Sequence, residues 1–173
     1  MNGINLRQLA LAVALSTTLG TAFAATSSDF VDNAAAGGIA EIETSRLALE
    51  KSSSADIKQF AEMMITDHSK ANDELAALAK KNDIEVPDTT TLVKQAKEKL
   101  LEMRDESFDP AYANNQVKAH EETIALFEKE ANTVTDDKTK GATELKAFAQ
   151  KMLPSLKKHL EMAKELQAAH PSK

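Results

Sequence analysis

The sequence predicts an all-α fold, a four-helix bundle with one long crossover between its second and third helices. Only five glycines and four prolines interrupt 173 residues, and good helix formers supply most of the rest. Apolar residues recur every three or four positions through four long segments, as they do on the buried face of a helix. The connection between the second and third segments is long enough to run the length of the bundle, and it contains a short helix.

Residues 1–24 are predicted to be a secretory signal peptide and not part of the fold. Arg7 supplies a short basic region, residues 9–19 are apolar, and Ala22-Phe23-Ala24 is a small-x-small cleavage pattern. We therefore expect cleavage after Ala24, export to the periplasm, and a single domain over residues 25–173 with its core at about 29–169. An uncleaved N-terminal anchor is the alternative, and association with the outer membrane is left open.

The first two long helices are predicted at about residues 29–51 and 55–81. Ser52-Ser53-Ser54 interrupts the helical pattern between them. Ser53, followed three residues later by Asp56, resembles a capping box with Asp in place of Glu. A helical hairpin with a very short turn is therefore expected at the start of the domain.

Turn and capping residues also divide the second half of the chain. Asp109-Pro110 places an N-cap residue before a proline at the first helical position. Asp136 and Asp137 favour the start of another helix, and Pro154 inside that helix is expected to kink it. These signals predict the short crossover helix at about 92–106 and the last two long helices at about 110–133 and 136–169.

The composition excludes several functions. The chain has 21 basic and 27 acidic residues, a net charge of −6, and an acidic surface repels the phosphates of nucleic acid. There is no cysteine, hence no disulfide and no lipid-modified cysteine anchor. After the signal peptide no apolar run approaches the ~20 residues of a transmembrane helix. No protein partner is indicated, and a homo-oligomer is left open.

Three of the four histidines occupy positions in the apolar stripes where a leucine would be expected. His68, His120 and His159 each belong to a different long helix. At ~1.5 Å per residue, counting from the helix ends places all three roughly 15–20 Å below the same end of the bundle. Glu41 of the first helix falls at the same depth, and Gly37-Gly38 before it lets a neighbouring helix approach closely. The sequence thus predicts one layer with a polar side chain from each long helix.

A carboxylate and three imidazoles suit a divalent transition metal, so Glu41, His68, His120 and His159 are the predicted metal ligands. These ligands do not choose among Zn, Cu, Fe and Ni. One alternative is a purely structural layer, in which Glu41 accepts hydrogen bonds from the histidines and fixes the helix register. Another is an oxidoreductase at the same site. We predict no catalytic residue, because the sequence contains no cysteine, no Gly-x-Ser-x-Gly and no His-Glu-x-x-His.

The charged neighbours of the histidines are predicted mainly for the solvated faces of their helices. Asp67 and Glu121 are the two acidic residues that directly adjoin a layer histidine in the sequence. Orientation of an imidazole by either carboxylate is the alternative role.

A combination of motifs resembles one known family. It consists of Asp67-His68 on the second helix, Phe108-Asp109-Pro110-Ala111-Tyr112 at the entry to the third, His120 eight residues later, and Pro154 with His159 on the fourth. Over about residues 29–168 the chain resembles the bacterial exported proteins of domain of unknown function 4142, often labelled predicted outer-membrane proteins. The resemblance implies a ferritin-like four-helix bundle in the periplasm with no established activity.

The chain departs from the di-iron ferritins at the positions that matter for iron. Those proteins use a Glu-x-x-His pair on each of two helices. Here the residues three before the layer histidines are Ile65, Val117 and Leu156, none of which is acidic. We therefore expect metal handling or envelope stress protection and not a ferroxidase. A non-catalytic structural or interaction protein of the cell envelope is the alternative.

Overall fold

The computed structural model describes residues 27–100, 108–135 and 141–172. Within these ranges it contains five α-helices and no strand: α1 (Ser27–Lys51), α2 (Ala55–Lys81), α3 (Thr89–Leu100), α4 (Phe108–Ala131) and α5 (Ala142–Ala169). The predicted all-α bundle, with a short helix in the crossover, is confirmed. The predicted signal peptide and its cleavage site lie outside the described residues.

The helix ends show how the chain is threaded. α1 packs mainly on α2 and α4 on α5, and α3 lies against α1. The hydroxyl of Ser54, just before α2, donates to Asp109 at the start of α4 over 2.8 Å. Asn82, just after α2, donates to Glu144 at the start of α5 over 3.0 Å. Helices α2 and α4 therefore begin at one end of the bundle, and the crossover between them returns along its length, as predicted.

Two helices begin three or more residues away from the start that the sequence pattern suggests. α3 begins three residues earlier than predicted, because the Asp88 carboxylate accepts the backbone N–H of Thr91 over 3.0 Å and caps the first turn. α5 begins after Gly141, whose φ of 73° is left-handed and does not continue a helix, and not near Asp136. Residues 136–140 between these points lie outside the described ranges. α5 continues through Pro154.

The predicted capping box before α2 is not formed. The residue that precedes the helix is Ser54 and not Ser53, and its hydroxyl caps no N–H of α2. That hydroxyl is used instead for the contact with Asp109, which lies inside the first turn of α4 and is not its N-cap. The serine turn therefore links two helices across the bundle.

The core consists of two apolar clusters separated by polar side chains. The first, near the starts of α2 and α4, includes Ile57, Phe60, Met64 and Ala163. The second, toward the other end, includes Leu75, Ile124, Phe127, Phe148 and Leu156. On α2, α4 and α5 the layer histidine falls between the members of these clusters. None of the described helices is both long enough and apolar enough to cross a membrane.

Candidate metal centre

The three layer histidines meet in the interior of the bundle. The ring centroids of His68 and His120 are 5.7 Å apart, those of His68 and His159 5.6 Å, and those of His120 and His159 5.5 Å. The three residues are 6%, 2% and 3% exposed, respectively. One ring nitrogen of each lies within 4.8 Å of one ring nitrogen of both others. The convergence predicted from helix counting is therefore present.

The backbone of α4 fixes the orientation of His120. Its Nδ1 lies 2.8 Å from the carbonyl oxygen of Gln116, one turn earlier. A carbonyl can only accept a hydrogen bond, so Nδ1 carries the proton and donates it. Nε2 of the neutral ring then carries a free lone pair. This atom is buried and has no hydrogen-bond partner.

A carboxylate of α2 orients His159 in the same way. The His159 Nε2 lies 3.0 Å from Oδ2 of Asp67 and 3.3 Å from the hydroxyl of Ser155. Nε2 therefore donates to the carboxylate, which leaves the lone pair on Nδ1. The Nδ1 atom is buried and has no partner. Asp67 thus takes the orienting role that was the alternative in the sequence interpretation, whereas Glu121 forms an ion pair with Lys164 at 3.3 Å.

The unpartnered nitrogens fit the requirements of a metal ion. Nε2 of His68 is buried without a partner, like Nε2 of His120 and Nδ1 of His159. A tetrahedral ion bound at ~2.0–2.1 Å holds its nitrogen ligands ~3.3 Å apart. One ring nitrogen of each histidine already lies within 4.8 Å of one ring nitrogen of both others, so closure of three nitrogens around an ion requires shifts of no more than ~1.5 Å.

Burial keeps these imidazoles in the neutral form that binds metals. It lowers the pKa of His68 from 6.5 to about 3, with a further decrease from the charges that His120 and His159 would carry. It also lowers the pKa of His120 to about 4, although the bond to the Gln116 carbonyl works in the opposite direction. Burial lowers the pKa of His159 as well, opposed by Asp67.

Glu41, the fourth predicted ligand, is not part of the histidine group. Its carboxyl group is buried, and burial raises its pKa from 4.5 to about 7. The Gln116 amide faces it and favours its charged form, but Glu41 Oε2 and both polar atoms of that amide make no hydrogen bond. Next to them, the hydroxyls of Ser45 and Tyr112 are bonded to each other over 3.0 Å. Glu41 therefore belongs to a second buried polar group, which we call the Glu41 group: Glu41, Ser45, Tyr112 and Gln116.

A pocket opens beside two of the histidines. Its volume is about 40 Å³, and its wall includes His68 and His159 together with the side chains of Asp67, Asn72, Thr123 and Ser155. Gly38 also lines it, and a Cβ atom at that position would overlap the Asn72 amide, with Cγ only 2.8 Å away. The prediction that the two glycines allow close helix approach is therefore confirmed at Gly38.

Four polar residues near the centre were not selected from the sequence: Asn72, Gln116, Thr123 and Ser155. All four follow a spacing rule that could have found them, because residues three or four positions apart lie on the same side of a helix. Gln116 and Ser155 each lie four residues before a layer histidine. Asn72 lies four residues after His68, and Thr123 lies three residues after His120. The spacing does not indicate that Asn72 and Thr123 line one pocket, since that depends on how their helices pack.

Comparison with known proteins supports the resemblance seen in the motifs, but it does not indicate an activity. No curated protein and no solved structure matches the chain. The sequence model of the family described as "Domain of unknown function (DUF4142)" matches residues 12–166, most of the chain. With the fold and the histidine motifs in place, this match shows that the chain belongs to the DUF4142 family.

Proposed function

We propose that this protein binds one divalent transition-metal ion through His68, His120 and His159, and that it serves metal handling or stress protection in the periplasm. The observation that carries the proposal is the convergence of three buried histidines, with one ring nitrogen of each within 4.8 Å of one ring nitrogen of both others. Each of the three rings also has one buried nitrogen without a hydrogen-bond partner. The chemistry of three neutral imidazoles suits Zn, Cu, Fe or Ni. Two of the rings are held by hydrogen bonds that they donate, His120 to the Gln116 carbonyl and His159 to the Asp67 carboxylate, as is usual for histidine ligands.

A structural polar layer explains the same atoms less well. Buried polar groups that serve only packing are hydrogen-bonded in nearly all proteins, and each one left unsatisfied costs ~1–3 kcal/mol. In the described residues Glu41 accepts no hydrogen bond from a histidine, so the acceptor that the structural alternative requires is missing. A bound cation would satisfy all three lone pairs at once.

The proposed site has three protein ligands, since Glu41 lies apart from it. Three imidazoles leave at least one coordination position to water or another small ligand. The described residues around the centre contain no second metal-binding group that could form a di-metal site. Storage or transfer of single ions therefore fits the geometry better than di-metal oxidation chemistry.

The test is a metal titration of protein purified without an affinity tag. Zn²⁺ competition against a chromophoric chelator should give one ion per chain in the wild-type protein and none in His68→Ala or His120→Ala. His170→Ala is the matched control, because His170 lies at the end of α5 and bonds to Asp56, far from the centre along the helix. It should bind like the wild type.

Thermal or urea unfolding gives an independent measurement. Free Zn²⁺ at one hundred times its dissociation constant should stabilise the wild-type protein by ~2.7 kcal/mol. A wild-type protein that binds none of Zn²⁺, Cu²⁺, Ni²⁺ and Fe²⁺, and whose stability none of them changes, would contradict the proposal and favour the structural layer.

A further inference from the structure

The pocket beside His68 and His159 points to a second ligand. We propose that a small monoanion of two or three non-hydrogen atoms binds in this pocket and occupies the open coordination position of the metal. The inference rests on the proposed metal site, which it extends from metal binding to recognition of an exogenous anion.

The size of the pocket limits the ligand. Its volume of about 40 Å³ corresponds to ~three water molecules. Two of the three proposed metal ligands line it, so a molecule held there would lie next to the bound ion. Phe127 and Phe148 also line the pocket, and their apolar side chains do not suit a larger polar ligand.

The charges favour an anion. Three neutral imidazoles leave both charges of a divalent ion uncompensated, and an unpaired charge in a protein interior is unfavourable. The Asp67 carboxylate, bonded to His159, supplies one negative charge next to the site. One monoanion in the pocket would complete the balance.

Hydrogen-bond donors at the pocket support the same ligand. Thr123 of α4 and Asn72 of α2, whose side chains can donate hydrogen bonds, both line the pocket. Gly38 leaves the space that the Asn72 amide occupies. Residues with donor groups on two helices therefore line the same small space as two proposed metal ligands, within reach of a metal-bound anion.

The experiment uses Co²⁺, whose visible spectrum reports its ligands, and azide as the triatomic monoanion. After Co²⁺ loading is measured, azide is titrated into the wild-type protein and into Ala71→Leu, which fills the pocket from α2 one turn after His68. Ala76→Leu, at an exposed position of the same helix, is the matched control. We expect a saturable spectral change in the wild type and in Ala76→Leu. In Ala71→Leu azide should bind at least tenfold more weakly at unchanged Co²⁺ stoichiometry.

The outcomes separate the two proposals. A wild-type protein that binds neither Co²⁺ nor any of Zn²⁺, Cu²⁺, Ni²⁺ and Fe²⁺ overturns the metal site. Bound Co²⁺ whose spectrum ignores azide, or an azide response as strong in Ala71→Leu as in the wild type, overturns the anion site alone. If Ala71→Leu loses Co²⁺, Thr123→Val decides, because it keeps the shape of the pocket and removes one donor. Azide should then bind roughly tenfold more weakly, and an unchanged azide affinity overturns the inference.

Discussion

Acidification should destabilise the metal-free protein through its histidines and stabilise it through Glu41. The folded pKa values of His68 and His120 are about 3 and about 4, below the 6.5 of the unfolded chain. Between pH 6.5 and 4 the unfolded chain therefore binds more protons, and stability falls as the pH falls. Glu41 has a folded pKa of about 7 against 4.5 in the unfolded chain, so between these values the folded protein binds more protons.

The magnitudes follow from 1.36 kcal/mol per pKa unit. From pH 7 to 5, His68 and His120 each lower the free energy of unfolding by ~2 kcal/mol, while protonation of Glu41 raises it by ~2 kcal/mol. The wild-type protein should then lose ~2 kcal/mol from these three groups, and Glu41→Gln ~4 kcal/mol, because the amide cannot take up the compensating proton. The lowered pKa of His159 adds to the loss in both proteins equally.

Urea unfolding in the presence of a chelator, at pH 7 and pH 5, measures the difference between the two losses. The surface carboxylates contribute equally to the pH dependence of both proteins, so their contribution cancels in the difference. Glu62→Gln, at an exposed position of α2, is the control for replacing a carboxyl group by an amide. Equal losses of stability in the wild type and Glu41→Gln would refute the opposition between Glu41 and the histidines.

Three further substitutions test other parts of the structure. His68→Leu should raise the stability of the metal-free protein by ~1–3 kcal/mol in urea unfolding while abolishing stabilisation by Zn²⁺, since it removes an unsatisfied polar atom; lower metal-free stability would contradict this. Gly38→Ala should stabilise the protein by ~0.5–1 kcal/mol only when combined with Asn72→Ala, because the added Cβ overlaps that amide. Equal effects in both backgrounds would exclude the overlap. Asp67→Asn should weaken Zn²⁺ binding ~10-fold in chelator competition by loosening His159, with no change in helical content; unchanged affinity would exclude an orienting role.

Periodicity and helix counting predicted most of the fold and the meeting of the histidines. α2 begins and ends at the predicted residues, because the serine run and the apolar stripe both mark it clearly. The layer histidines meet because each sits in a core stripe, and helices of fixed rise bring equal counts to equal depth. The predicted start of α5 near Asp136 is wrong, because two aspartates resemble a helix start whereas the left-handed Gly141 sets the boundary.

Glu41 shows where counting is too coarse. A helical turn is about 5.4 Å, and an error of a few residues in a predicted helix end moves a side chain by that much. Its carboxyl group faces Gln116, one turn of α4 before His120, and so lies in the next polar group instead of the histidine group. Helical spacing places Asn72 and Thr123 on the same side of their helices as His68 and His120. That the two residues share one pocket depends on the packing of helices distant in sequence, which no local pattern encodes.

X-ray absorption fine structure of the Zn²⁺-loaded protein tests the metal centre most directly. The geometry predicts three imidazole nitrogens at ~2.0–2.1 Å and one further light atom, and no bound metal in His120→Ala. A shell of oxygen atoms alone, or an imidazole count that His120→Ala leaves unchanged, would show that the bound metal does not lie among His68, His120 and His159.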